Sequence, residues 1–324
     1  MTMFKDLWVV GASLVLAGVM GYAIQRGATC TVAAVGEIVS ECKFRRLWAI
    51  IEAAIWVLGG LLLGNLLGVP ELVPSGYQVS FWTFAGALLL GVGAAVNKAC
   101  VFGSVARFGN GDWAYSATPL GFYLGCLLAQ SFFLPVMAVK IAQPSVVLAA
   151  PGWLLIVIGV WMVRRAAAPV LKYWADPKAL VTELWAPHSA TLVIGVTFVL
   201  LLWLVGPWAY TDLLAELARG GMPGVTVRVM LLLTLLIGAI WGGWTASCFR
   251  PTAVSLPGLA RCLSGGILMG AGSLAIPGGN DGLVLTGLPL LWPHAWIAFA
   301  TMCASIALYL QAQAYVSRHF KILS

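Results

Sequence analysis

Charge is what this chain of 324 residues has least of: Asp, Glu, Lys and Arg together make up 9% of it, against 61% hydrophobic residues. So few polar groups cannot cover a water-soluble globule of this size, and a mean hydropathy of +0.97 makes lipid the expected solvent. Histidine is scarce as well. His188, His294 and His319 are scattered, and the seven cysteines contain no Cys-x-x-Cys, so zinc and copper find no ligand set and no cofactor is expected. The same histidines fall near predicted membrane edges and give no cysteine an evident base for covalent catalysis, so the chain does not read as an enzyme. No nucleotide-binding motif is present, and ATP would have to be used by another chain. Alternation of apolar and polar residues is missing from runs such as Leu61-Leu62-Leu63 and Leu231-Leu232-Leu233, which excludes a lipid-exposed β-barrel. A net charge of +7 raises the question of nucleic acid. The basic residues form no stripe, however, and no nucleic-acid partner is expected.

What the sequence has in quantity is apolar stretches long enough to cross a bilayer core of roughly 30 Å. They lie at 7–24, 47–69, 81–96, 113–139, 146–163, 189–209, 229–247, 263–276 and 294–315. The expected fold is therefore all-α: a polytopic membrane protein of about nine spanning helices, with the short apolar piece 282–292 and similar glycine- and proline-bounded pieces as re-entrant helices. Lys5 and the run Leu7–Ile24 resemble a signal peptide, but no small-residue cleavage site precedes Arg26, so the run reads as an uncleaved first span. One integral membrane transport domain, 1–324, is expected, with a first half of about 1–163 and a second of about 189–315 joined by the basic loop 164–188. Odd cysteine number and placement in or beside apolar segments argue against structural disulfides.

If the spans alternate in direction, the connections 25–46, 97–112, 164–188, 248–262 and 316–324 share one side of the membrane. That side holds all the Lys and Arg residues except Lys5, Lys140, Arg219 and Arg228. The asymmetry predicts a periplasmic N-terminus and a cytoplasmic C-terminus in a bacterial inner membrane.

Two segments repeat a glycine spacing: Gly86, Gly91, Gly93, Cys100, Gly103 and Gly265, Gly270, Gly272, Gly279, Gly282. Under the predicted topology they run in opposite directions, the pattern of an inverted repeat whose helices break near a substrate site. Four polar interruptions mark such breaks: Gln25–Cys30, Asn97–Gly103, Ser247–Pro251 and Ile276–Gly282. Three contain a cysteine, Cys30, Cys100 and Cys248. A thiol there offers a soft sulfur and a weak donor without a fixed charge, which suits a sulfur-bearing anion that must also leave. Cys126 and Cys303, inside apolar runs, read as small buried hydrophobes. The turn Pro277–Asp281 reads either as an anion-binding concavity or as a plain turn and cap, with Asp281 repelling an anion in the first case and capping a helix in the second. Lys98 and Arg250 either attract anions or, like Arg26, fix orientation.

These segments carry a resemblance. Gln25-Arg26-Gly27-Ala28-Thr29-Cys30-Thr31, Ala99-Cys100-Val101-Phe102-Gly103, Cys248-Phe249-Arg250-Pro251 and Gly265–Gly270 leading to Pro277-Gly278-Gly279-Asn280-Asp281-Gly282 resemble the YeeE/YedE family of sulfur-transport proteins over most of the chain. The resemblance implies uptake of thiosulfate or a related small sulfur anion through a central passage lined by cysteines, with pseudo-twofold symmetry, no cofactor and no covalent intermediate. By motif position Cys30 and Cys100 are two of the family's pathway thiols, and the Gly278–Asn280 turn belongs to the constriction. The third position departs from the pattern, since Gly279 stands where the family has cysteine; Cys248, from another break, is the candidate substitute. An alternative is a sulfur relay that hands sulfur, as a cysteine persulfide, to a small cytoplasmic carrier protein.

Overall fold

The computed structural model describes residues 2–69, 73–133, 139–221 and 224–323. The stretch 113–139 thus ends partly outside the described residues, and so do the side chains of Lys5, Arg318 and Lys321. Among the described residues the chain is helical apart from turns and one isolated antiparallel bridge between Tyr77 and Lys140.

The first half contains α1 (Thr2–Arg26), α2 (Thr31–Glu41), α3 (Arg45–Leu66), α4 (Phe81–Asn97), α5 (Val101–Gly109) and α6 (Ala117–Phe133). Next come α7 (Gly152–Ala175) and α8 (Pro177–Thr182), then α9 (Pro187–Val205), α10 (Tyr210–Ala218), α11 (Val225–Thr245) and α12 (Leu256–Ala275). Last are α13 (Asn280–Gly282), which continues as a π turn through Gly287, and α14 (Pro293–Leu323). Each apolar stretch read from the sequence overlaps one long helix. Among the described residues seven stretches of helix are long and apolar enough to cross a membrane, or eight if α12 and Asn280–Gly287, bent by 51° at their break, make one span. The connections 25–46 and 97–112 are not plain loops as expected, because α2 and α5 occupy them, and α10 follows α9 in the same way.

Local chemistry sets several of these boundaries. Ser80 and Thr83 form a reciprocal capping box at the start of α4. Asp176 caps α8, and Ser255 caps α12 by accepting from Gly258 N–H at 3.2 Å. Pro177, Pro187 and Pro257 sit in first turns, where a missing N–H costs nothing.

Small residues then bring the long helices together. A Cβ on Gly86 would lie 2.7 Å from Gly272 O, and one on Gly93 would lie 2.8 Å from Gly265 O. The order is reversed along the two helices, so α4 and α12 cross antiparallel, backbone to backbone. On its other face α12 meets α6, where a Cβ on Gly266 would come 2.5 Å from Thr118 O. Packing of α1 on α11 is equally close, with Gly21 against the Leu235 backbone and Gly238 against that of Gly18. Further contacts join α3 to α9, α1 to α9 and α14 to α4. Buried Glu52 of α3 meets two partly exposed partners, Arg165 of α7 at 2.8 Å and His188 of α9 at 2.5 Å.

Candidate functional site at the starts of the short helices

After α1, α4, α9 and α12 the chain turns through a residue of positive φ: Ala28 (45°), Lys98 (61°), Gly206 (82°) and Gly278 (146°). At Gly206, where ψ is −176°, and at Gly278 the backbone is one that a side chain would strongly resist. A short helix then begins, its N-cap being Cys30 for α2, Cys100 for α5, Ala209 for α10 and Gly279 for α13. None of these caps gives its helix a side-chain hydrogen bond. First-turn N–H groups are therefore left for other acceptors, with the positive end of the helix dipole behind them.

The four starts are tied into one closed ring. Thr31 N–H of α2 donates to Cys100 Sγ at 3.1 Å, which links α2 to α5. Tyr210 of α10 donates its hydroxyl to Val101 O at 3.0 Å, which links α5 to α10. Thr211 of α10 donates its N–H to Asp281 Oδ2 at 3.3 Å, and its hydroxyl to Oδ1, which links α10 to α13. Asn280 Nδ2 donates to Thr31 Oγ1 at 3.3 Å and closes the ring. Thr31, Cys100, Tyr210, Thr211, Asn280 and Asp281 are all buried. Cys30 and Cys100 are free thiols, brought to the same place by the Thr31 N–H bond to Cys100 Sγ. Gly103, one turn into α5, makes room for them: a Cβ there would sit 3.0 Å from that of Cys30.

Cavities approach the ring from opposite ends of α3 and α9. At their C-terminal ends a cavity of about 230 Å³ is lined by Pro74, Asp212, Arg219, Arg228, Gly278, Gly279 and His294, among others. At their N-terminal ends a cavity of about 10 Å³ is lined by Ala28, Thr29, Cys30, Arg46, Pro187 and Thr191. Beside the latter lies an open hollow of about 550 Å³ between α2 and Lys43, Arg45 and Arg46. Gly279 thus faces one cavity and Cys30 the other, with Cys100 between them in the ring.

Of the residues expected from sequence, Cys30, Cys100, Gly279 and Asn280 come together, and Gly278 forms the turn at the larger cavity. Cys248 does not join them. It lies in the turn after α11, with Sγ 3.4 Å from Ala246 O, and takes no part in the ring hydrogen bonds. Lys98 and Arg250 are both exposed, Lys98 as the C-cap of α4 and Arg250 with its backbone N–H on Asn110 O at 2.8 Å. Arg26 is buried and donates to Glu183 O at 2.7 Å, to Tyr22 Oη at 2.7 Å and to Thr245 Oγ1 at 2.6 Å, which fastens α1 to the chain after α8. Thr31, Tyr210 and Thr211 are ring members the sequence reading passed over. The signal for the last two was Gly206-Pro207 followed by polar Tyr210-Thr211-Asp212, the same grammar as the other breaks.

No curated protein matches this chain. The sulphur transport family model matches residues 26–308, a range that includes the turns at Ala28, Lys98, Gly206 and Gly278 and the short helices that follow them. Fold, breaks and match agree, and the chain belongs to the sulphur transport family, the YeeE/YedE family its motifs resemble.

Proposed function

We propose that the chain is a permease that carries thiosulfate, or a small sulfur anion of the same kind, across the bacterial inner membrane through the ring of short-helix starts. The observation that carries this reading is the closed set of hydrogen bonds joining α2, α5, α10 and α13, with a cavity on each side. An anion in such a place exchanges water for backbone N–H groups and helix dipoles, which hold charge without a fixed countercharge. Cys100 and Cys30 add S–H donors in succession toward the smaller cavity, each weak enough to release its guest. Neither step needs a covalent bond or a cofactor. Arg219 at the rim of one mouth and Arg46 at the other draw anions toward both ends.

An inverted two-fold relation and nine spans belong to the same reading. Paired contacts support them: α1 on α11 corresponds to α9 on α3, and α6 on α12 corresponds to α14 on α4. The glycines pair likewise, Gly86 with Gly272 and Gly93 with Gly265.

Growth of a bacterium lacking its sulfate and thiosulfate uptake systems tests the function. The wild-type chain is expected to restore growth on thiosulfate. Loss of a hydrogen bond to a charged guest is worth about 1.5–3 kcal/mol, so Cys100→Ala and Cys30→Ala are each expected to lower labelled thiosulfate uptake by roughly ten- to a hundredfold. Rescue on no sulfur source would remove the substrate class, and full rescue by both variants would remove the thiols from the mechanism.

A further inference from the structure

Two carboxyl groups stand in the wall of this anion path, and neither has an ion-pair partner among the described residues. Asp281 is 2% exposed and accepts from Thr211 twice and from Gly282 N–H at 3.0 Å. Asp212 lines the larger cavity, with its two oxygens 3.4 and 3.5 Å from where a Cβ on Gly282 would lie. The two carboxyls therefore flank one residue, Asp212 open to the cavity and Asp281 buried in the ring. An anion that reaches Gly279 and Asn280 meets both. Two charged carboxylates there would repel it, and the nearest cations do not cancel them: Arg228 is held by Glu216 at 2.9 Å, and Arg219 is exposed at the cavity rim.

We propose that Asp212 and Asp281 carry a proton with the anion, so that the proton gradient drives transport. The inference rests on the anion pathway proposed above. Protonation removes one negative charge from the wall as the anion arrives, and by linkage the anion raises the affinity of the pair for the proton by the same factor. Asp212 collects the proton from the cavity and Asp281 holds it in the ring. The other titratable or charged groups facing the pair are Glu216 and Tyr210 on α10, Arg219 at its C-cap, Arg228 on α11, Cys100 at the N-cap of α5, Cys126 on α6, Tyr77 in the segment after α3, and His294 on α14. Tyr77 N–H donates to His294 Nδ1 at 3.3 Å, which leaves that nitrogen an acceptor and His294 without a charge to lend.

Purified full-length protein in proteoliposomes, with the voltage clamped at zero by potassium and valinomycin, tests this with labelled thiosulfate. Equilibrium exchange across the bilayer reports the pathway alone. Accumulation against an imposed pH gradient, alkaline inside by one unit, reports coupling, and about tenfold accumulation is expected for each proton carried. In Asp281→Asn and Asp212→Asn that ratio is expected to fall from about ten to about one; as an equilibrium ratio it can be read even from a slowed variant. Wild-type exchange with no response to the pH gradient would overturn the proposal and leave the pathway standing. No exchange with thiosulfate would overturn both. Asn variants that accumulate as the wild type does would overturn the assignment to this pair. If neither variant folds, acidification of a pH dye trapped with the wild-type protein when thiosulfate is added decides the coupling, and a silent dye overturns it.

Discussion

At Gly279 the ring has room for backbone and nothing more. A Cβ there would lie 2.6 Å from Thr211 Cβ, still nearer to its hydroxyl, and 2.9 Å from Asp281 Oδ1. Thr211 of α10 fills the volume that a side chain at 279 would need. Overpacking a tight site costs about 1–3 kcal/mol, and a chain of this length loses roughly 2–4 °C of Tm per kcal/mol. Gly279→Cys is therefore expected to lower the melting temperature of the detergent-solubilised protein by several degrees. Thr211→Gly in the same chain removes both threonine atoms from the contact and is expected to recover part of the loss. Thermal unfolding of the single and double variants checks this, and equal melting of wild type and Gly279→Cys would mean that the threonine does not occupy the space.

Whole elements answer to small residues in the same way, but over a full helix contact. Gly93 and Gly265 let α4 and α12 touch through their backbones, so Gly93→Leu or Gly265→Leu is expected to abolish monodisperse protein on size-exclusion chromatography. Gly11 and Gly159 lie inside helices with nothing within 4 Å of a built Cβ, and changing either to alanine is expected to raise stability by about 0.5–1 kcal/mol. The long helices and this glycine spacing were legible in the sequence because both depend on local pattern: apolar length in one case, a repeated interval in the other. The short helices were not. Residues 31–41 contain Glu37, Ser40 and Glu41 and are too few to span, so they read as a connection; packing on α3, α5 and α14 is what holds them helical. Within the site, Cys30, Cys100, Gly279 and Asn280 were visible because polar residues interrupt apolar runs there. Tyr210 and Thr211 were hidden at the tail of the 189–209 run, and Cys248 was given a place that spacing along the chain cannot assign.

On the scale of the molecule, the two ends differ in charge as well as in cavity shape. Cys42, exposed in the turn between α2 and α3, sits beside Lys43, Arg45 and Arg46 at the end where the smaller cavity reaches Cys30. Ser75 is exposed at the other end, on the rim of the 230 Å³ cavity that holds Arg219 and Arg228. On the proposed orientation, in which positive residues are retained in the cytoplasm, Cys42 lies there and Ser75 in the periplasm. In intact spheroplasts a membrane-impermeant maleimide is expected to modify Ser75→Cys and to leave Cys42 unmodified; after permeabilisation both react, with Cys42→Ser and peptide mass spectrometry fixing the labelled position. In this orientation the proposed anion path enters through the 230 Å³ cavity past Asp212 and leaves past Cys30. The reverse labelling pattern would turn the molecule over, put the carboxyl pair on the cytoplasmic side of the ring, and require protons to enter through the narrow end.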